Sequence, residues 1–182
     1  EGRLDLAFNS YVVETPETLV LVDAGVGNDK ERPDRPLWHR RSGRFLEALA
    51  ALGFAPERFG LVINTHLHAD HVGWNTVKTA EGWSPTFPNA RYVAPAREIA
   101  LWRAIHAREG SHTLHGAYDD SVAPLLAAGR LEGVETPVEI VPGLRLEPAH
   151  GHSPGMAVVR LTGASGDMLF TADVIHHPLQ LG

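Results

Sequence analysis

The chain carries an unusual concentration of metal-binding side chains at residues 65–71, which read Thr-His-Leu-His-Ala-Asp-His. A short apolar run leads directly into this motif. Because residues two apart at the end of a strand share a face, we predict that His66 and His68 bind one metal ion together. Asp70 and His71 come where the chain should turn toward a helix, and we predict that they reach a second ion. The alternative is a solvated histidine-rich loop, which does not explain why the motif follows a buried strand.

Two later residues can complete such a site. His152 lies in a turn rich in glycine and proline at residues 149–155, which is the kind of rigid loop that can hold an imidazole in place. Asp173 follows an apolar strand pattern, and a carboxylate at a strand end can use both oxygens to bridge two cations. Taken singly, a surface histidine and a helix N-cap are equally good interpretations. Together with the first motif, we predict that His152 completes the first site and that Asp173 joins the two.

Composition limits what the protein can be. The chain has 182 residues, a hydrophobic fraction of 43% and a formal net charge of −6, which fits one folded domain with an acidic surface. The absence of cysteine leaves nitrogen and oxygen as the metal ligands. The net negative charge provides no basic surface for the phosphate groups of nucleic acid. No apolar run approaches the roughly 18 to 20 residues that span a bilayer. We therefore expect a soluble protein that binds neither nucleic acid nor membranes.

Strand and helix patterns alternate through the first two thirds of the chain. Strand patterns occur at residues 4–13, 18–22, 61–63 and 91–93, and helical patterns at residues 42–52, 96–108 and 118–128, the last broken by Pro124. The pattern then changes to short strands at residues 138–141, 144–146, 157–161 and 168–170. Two sheets with helices for their outer faces predict a four-layer α/β sandwich. No repeat or linker divides the chain, so we expect one domain over residues 1–182.

These motifs resemble the metallo-β-lactamase superfamily, whose signature is His-x-His-x-Asp-His after a strand, followed by a distant His, an Asp and a final His. Beyond that motif, the matching segments are residues 21–25, 151–155 and 171–173. Residues 26–30, 73–75, 86–90 and 176–178 are similar to the branch that contains quorum-quenching lactonases and organophosphate hydrolases. The resemblance implies a four-layer αββα fold and a hydrolytic site with two metal ions, usually zinc, with iron or manganese as alternatives. It also implies that Asp23 orders the metal loop, although a strand-ending Asp that caps a turn is an equal interpretation.

The ligand count differs between the two sites that the resemblance implies. His66, His68, His152 and Asp173 complete the first, whereas Asp70, His71 and Asp173 leave the second one ligand short. The final histidine of the family would lie beyond Asp173, so we expect either a parent chain that continues past Gly182, with the C-terminal part of the domain missing here, or a weakly bound second ion. His176 or His177 is a weaker candidate for the missing ligand of the second site. His112 and His115 are weaker still and, like His39 and His106, fit better as surface residues.

The chemistry that this resemblance implies is hydrolysis of lactones or related esters. Two ions about 3.5 to 4 Å apart lower the pKa of a bridging water to near neutral and so provide a hydroxide nucleophile. Asp70 would assist protonation of the leaving alkoxide. Some lactonases of the family have a Tyr three residues after the bridging Asp. Here that position is His176, for which we expect a role in substrate binding or oxyanion stabilisation, with packing at the sheet edge as the alternative.

Four aromatic residues flank the motif and either line a pocket for an apolar substrate or pin loops to the core: Trp38, Trp74, Trp83 and Phe87.

Other interpretations stay open at this stage. A single-iron dioxygenase on the same scaffold would need only the first site, and a non-catalytic metal-binding remnant would need no turnover. A nuclease is disfavoured by the acidic balance. An uncovered sheet edge would favour homo-oligomers. We expect a cytoplasmic protein, with an upstream secretory signal as the open alternative because residue 1 is Glu.

Overall fold

The computed structural model describes residues 6–181 and begins with a β-hairpin. Strands β1 (Tyr11–Glu14) and β2 (Leu19–Val22) pair antiparallel, which confirms the predicted hairpin. The first strand is shorter than predicted, and residues 4 and 5 of that prediction lie outside the described residues. The side chains of β2 are buried along its whole length, as expected for a strand covered on both faces.

The next elements deliver the histidine motif. Helix α1 (Phe45–Ala51) lies inside the predicted helix, and Gly53 follows it with φ +84°, a left-handed conformation that favours glycine. Strand β3 (Phe59–Ile63) is almost entirely buried and pairs parallel with β2. It ends three residues before His66, so the apolar run does lead into the motif as predicted. The motif then turns into the short helix α2 (Ala69–Val72).

A two-stranded hairpin follows that we did not predict. Strands β4 (Thr76–Thr79) and β5 (Gly82–Pro85) pair with each other and belong to neither main sheet. Thr76 is buried, but the other residues of the two strands are exposed or half-exposed and do not alternate between apolar and polar, so the usual sequence signal of a strand is missing.

The first main sheet is completed by two further parallel strands. These are β6 (Arg91–Pro95) and, after helix α3 (Ala96–Glu109) and helix α4 (Ala123–Ala127), strand β7 (Leu131–Val134). The break that Pro124 predicted lies at the start of α4, where a wide π-type turn over Tyr118–Val122 precedes it. The strand order is β1-β2-β3-β6-β7, and β7 was missed because its residues are half exposed at the sheet edge.

The second sheet contains four antiparallel strands in the order β11-β10-β9-β8. They are β8 (Val138–Val141), β9 (Leu144–Pro148), β10 (Ala157–Gly163) and β11 (Gly166–Phe170), close to the predicted positions. Consecutive strands pair, as expected for short runs separated by tight turns.

Two apolar cores hold the layers together. One core lies between the two sheets and combines residues such as Val20 and Ile63 with Leu146 and Val159. The other lies between the first sheet and its helices and includes Leu49 of α1 and Leu125 of α4. Residues 6–181 thus form a helical layer and two stacked sheets, which confirms the sandwich with its second half incomplete. No helix in this range is long and apolar enough to cross a membrane.

Candidate metal centre

The motif lies at the edge of the first sheet where its parallel strands end. The carboxyl ends of parallel strands meet at one edge, and the segments after β2 and β3 are therefore neighbours. The backbone N–H of Asp23, just after β2, donates to the carbonyl of Ile63 at 2.8 Å. Asp23 and the histidines that follow β3 are brought together in this way.

Four side chains form the first candidate ligand group. One ligand atom from each lies within 4.8 Å of the others, and the four residues are His66, His68, His152 and Asp173. The loop between β9 and β10 carries His152, and its Nε2 lies 2.8 Å from Nδ1 of His68. Residues from three separate segments thus converge.

The second candidate group contains Asp70, His71 and Asp173, whose ligand atoms also lie within 4.8 Å of one another. Both Asp70 and His71 lie on α2, directly after the segment that carries His66 and His68, and the ring centroids of His66 and His71 are 4.1 Å apart. Within residues 6–181 this group has three members.

Asp173 belongs to both groups because its two oxygens lie near different histidines. Its Oδ2 lies 3.1 Å from Nε2 of His152 and 3.8 Å from Nε2 of His66, while its Oδ1 lies 3.2 Å from Nε2 of His71. Burial alone would raise the pKa of Asp173, but the charge of the neighbouring His71 imidazole holds that pKa well below its usual range. An ionised carboxylate in this position can face two cations at once.

The residues fit divalent cations on the evidence of two nitrogen atoms. The Nε2 atoms of His66 and His71 are buried and have no hydrogen-bond partner in the part of the chain that the structure describes. Buried polar atoms are normally paired, so each of these nitrogens points to a missing partner. Burial, reinforced by neighbouring imidazoles, lowers the pKa values of His66 and His68, which favours the neutral form that binds metal. The donor set of imidazoles and carboxylates suits a divalent metal.

Asp23 holds the motif from behind. Its carboxylate accepts hydrogen bonds from the backbone N–H and hydroxyl of Thr65, each at 2.8 Å, and contacts Nδ1 of His71 at 2.8 Å. Burial opposes protonation of His71, but the charges of Asp23 and Asp173 outweigh it and raise the pKa of His71 to about 11. Of the two interpretations of Asp23, the one in which it orders the metal loop agrees with these contacts.

The remaining histidines lie at different distances from the two groups. The Nε2 of His176 lies 3.4 Å from Oδ2 of Asp173, and both His176 and His177 line the cleft above the groups. His112 and His115 also line this cleft, so the expectation that they are ordinary surface residues was incomplete. The Nδ1 of His115 lies 2.5 Å from Oδ2 of Asp34.

The predicted aromatic residues divide between the two proposed roles. Trp38 lines the cleft. Trp74 instead stacks on Phe45 at 5.3 Å, and Phe87 is buried against Phe59. The ring of Trp83 lies 3.7 Å from Nζ of Lys30. None of Trp74, Trp83 and Phe87 lines this cleft, and Trp74 and Phe87 belong to the core between the first sheet and its helices, which agrees with the packing interpretation for those two.

Two site residues were missed by the sequence analysis. Trp102 of α3 lines the cleft with its ring 5.6 Å from that of His68. Glu98, one turn earlier on the same helix, is fully buried behind the ligand loops. The spacing of four residues places them on one helix face, but nothing in that spacing indicates that the face meets the histidine motif.

The two groups open into a cleft of about 860 Å³. Asp70, His71, His152 and Asp173 contribute to its lining, and apolar side chains from the N-terminal segment and the loop after α3 form part of its wall. A volume of this order accommodates a small organic molecule.

Comparison with known proteins agrees with this architecture. The family model described as the metallo-beta-lactamase superfamily matches residues 5–181. An N-acyl homoserine lactonase of a Bacillus species is 28% identical over 183 residues, which cover 93% of this chain and 64% of that protein. The N-acyl homoserine lactonase AiiA of Bacillus thuringiensis subsp. kurstaki gives the same identity and coverage. The chain therefore spans about 64% of the length of these curated relatives.

Solved structures show the same fold. The dizinc quorum-quenching lactonase AidC, in complex with a product, superposes with a TM-score of 0.74 at 24% identity, over 95% of this chain and 58% of that one. The hydrolase AbOPH, described as a member of the beta lactamase superfamily, gives a TM-score of 0.71 at 23% identity, over 92% of this chain and 56% of that one.

Proposed function

The chain belongs to the metallo-beta-lactamase superfamily, and from this premise we propose that it is part of a metal-dependent hydrolase that opens lactones. The proposed substrates are N-acyl homoserine lactones or related esters, in line with the names of the curated relatives. The proposed metal is zinc, held by His66, His68, His152 and Asp173 at one position and by Asp70, His71 and Asp173 at the other.

One observation carries this proposal more than any other. Two ligand groups that share Asp173 lie side by side at the floor of one cleft. A structural metal site is closed by its protein ligands, whereas a catalytic site needs an open position for water or substrate. The second group contains three residues and faces the cleft, which favours a catalytic role.

The metals would supply an activated water and an electrophile for the substrate carbonyl. The chain's own residues would position the substrate and handle its protons. Asp70 lines the cleft with its Oδ2 3.7 Å from Nε2 of His71, and we assign it the delivery of a proton to the leaving alkoxide. His176 also faces the cleft, and its ring N–H can donate to the carbonyl oxygen of a bound lactone.

The wall of the cleft suits an acyl chain. Leu6, Phe8, Trp38 and Leu114 line it, and the rings of Phe8 and Trp38 meet edge to face with centroids 5.5 Å apart. Burying a hydrocarbon chain against such a surface contributes roughly 25 cal/mol for each Å² removed from water. A lactone that carries an N-acyl chain would therefore bind better than the bare ring.

The test combines metal content with hydrolysis. We expect the purified chain to bind zinc and to hydrolyse N-acyl homoserine lactones, to lose activity on chelation and to regain it with zinc. His152→Ala should reduce both bound zinc and turnover by at least about tenfold, because it removes one first-site ligand. His150→Ala is the matched control, since His150 lies two residues away, is exposed and belongs to neither ligand group. Zinc binding without turnover of any lactone or ester would overturn the hydrolase proposal, as would metal-dependent oxygen consumption in place of hydrolysis.

A further inference from the structure

A buried carboxylate lies behind the two loops that carry the first ligand group. Glu98, in the first turn of α3, has no exposed surface, and its two oxygens accept four hydrogen bonds. The donors are the backbone N–H groups of Leu67 (3.3 Å) and Gly155 (2.8 Å), the indole Nε1 of Trp102 (2.8 Å) and the hydroxyl of Ser153. Burying a carboxylate costs free energy unless its oxygens are hydrogen-bonded, and these four donors satisfy both oxygens of Glu98.

The donors come from both ligand loops. Leu67 stands between His66 and His68, while Ser153 and Gly155 directly follow His152. These two loops are more than 80 residues apart in sequence, and Glu98 connects them with one side chain. A displacement of this carboxylate would therefore move His68 and His152 relative to each other.

Close packing reinforces the link between the second loop and the helix. A Cβ atom added to Gly155 would lie 2.6 Å from the backbone nitrogen of Glu98 and 3.0 Å from the carbonyl carbon of Arg97. A Cβ atom essentially never lies within 3.0 Å of a backbone atom elsewhere in the chain, so only glycine allows the loop to approach α3 this closely. The approach is what brings the N–H of Gly155 within reach of the carboxylate.

Glu98 also fixes one wall of the cleft. Trp102 lies one helical turn further along, and its indole N–H is committed to Oε2 of Glu98. The ring is thereby held beside His68, with centroids 5.6 Å apart and planes at 67°.

From these contacts we propose that Glu98 is a positioning residue: it holds His68 and His152 in the arrangement needed to bind the first metal ion, and it holds Trp102 at the cleft wall. This inference rests on the proposed function, because it assumes that the first ligand group binds a divalent cation. Groups that orient metal ligands from behind typically change metal affinity by 10- to 100-fold when they are altered.

The test measures zinc and cobalt affinity of the full chain by competition with a chelator of known affinity. Glu98→Gln should weaken binding of the first ion by roughly 10- to 100-fold and alter the visible spectrum of bound cobalt, because an amide nitrogen cannot accept from the loop donors. Ser153→Ala removes one donor without adding bulk and should weaken binding by a smaller factor. Trp102→Phe leaves both loops tied to Glu98 and should bind zinc as the wild type does.

Glu109→Gln is the matched control, since Glu109 lies exposed at the other end of the same helix. The melting temperature of each metal-free variant is measured in parallel, and Ser153→Ala keeps the test valid if Glu98→Gln does not fold. A lower melting temperature with wild-type zinc affinity in both variants would overturn the proposal and leave the proposed function intact. Failure of the wild-type chain to bind either metal would overturn both.

Discussion

The Nδ1 atom of His71 lies 2.8 Å from Oδ2 of Asp23, a residue 48 positions earlier in the chain. The same carboxylate accepts two hydrogen bonds from Thr65, so it contacts the motif at both ends. Asp23 occupies a left-handed backbone conformation (φ +56°) and is buried, and this geometry turns its side chain under the loop. The contact leaves Nε2 of His71 as the atom that faces Asp70 and Asp173.

We expect Asp23→Asn to weaken binding of the second ion by roughly 10- to 100-fold, because the carboxylate orients His71 and increases its basicity as a ligand. Metal titration that resolves the two binding steps provides the measurement. Asp29→Asn is the control, since Asp29 is exposed and also adopts a left-handed conformation (φ +60°). Equal second-step affinities in Asp23→Asn and in the wild type would contradict this role.

Replacing His176 tests the proposed contact with the substrate. His176→Ala should lower kcat for an N-acyl homoserine lactone by about ten- to a hundredfold, since a hydrogen bond to a developing charge is worth roughly 1.5 to 3 kcal/mol. Zinc content should not change, because His176 belongs to neither ligand group. His177→Ala is the control at the next position, where the imidazole accepts from the backbone of Leu179 at 3.2 Å. Wild-type kcat and KM in His176→Ala would end the assignment.

Gly73 shows how closely the segment after α2 packs. A Cβ atom there would lie 1.9 Å from the carbonyl of Val26, and the N–H of Gly73 donates to Gly25 at 2.7 Å. Its φ of −57° suits any residue, so space alone requires glycine. We expect Gly73→Ala to lower the free energy of unfolding of the metal-free chain by about 3 kcal/mol, measured by urea denaturation. Gly151→Ala has open space and should change it by less than about 1 kcal/mol; similar losses in both variants would refute the packing argument.

The buried Lys30 predicts a pH dependence of stability. Burial lowers its pKa to about 7, although Asp120, whose carboxylate lies 3.7 Å away, partly opposes the shift and Arg32 adds to it. Its Nζ also contacts Thr76 and the ring of Trp83. Between pH 7 and about 10.5 the unfolded chain keeps a proton on Lys30 that the folded chain has lost, so the free energy of unfolding should rise with pH over this window.

The expected slope from this one group is at most about 1.4 kcal/mol per pH unit. Lys30→Met should remove that contribution, and the difference between the two unfolding curves isolates it from other titrating groups. Lys78→Met is the control at an exposed lysine. Parallel pH profiles for wild type and Lys30→Met would show that the lysine titrates normally in the folded chain.

The candidate ligands could be recognised in the sequence because most of them lie in one short segment. His66, His68, Asp70 and His71 share a single turn after β3, and a strand followed by a helix start sets their directions locally. His152 and Asp173 were identified through their place in a turn and at a strand end. The strands of the second sheet were predicted for the same reason, since each is a short apolar run between tight turns.

The residues that support the ligands could not be found in this way. In the sequence, Glu98 cannot be distinguished from the acidic residues that are common in the first turn of helices. Its burial and its four donors depend on how α3 packs beside two loops from distant parts of the chain. The hairpin of β4 and β5 was missed for a related reason, because its pairing leaves no apolar pattern.

The amino-acid sequence by itself indicated the candidate ligands, which are nitrogen and oxygen donors grouped after a buried strand, and a sandwich of two sheets to support them. Only the tertiary structure decided which side chains orient those ligands and which aromatic rings reach the cleft. The physical reason is how far apart in the sequence the interacting residues lie. Ligand spacing within one loop is fixed by local backbone geometry, whereas the partners of Asp23 and Glu98 are set by the packing of segments 31 to 57 residues apart, which no local pattern encodes.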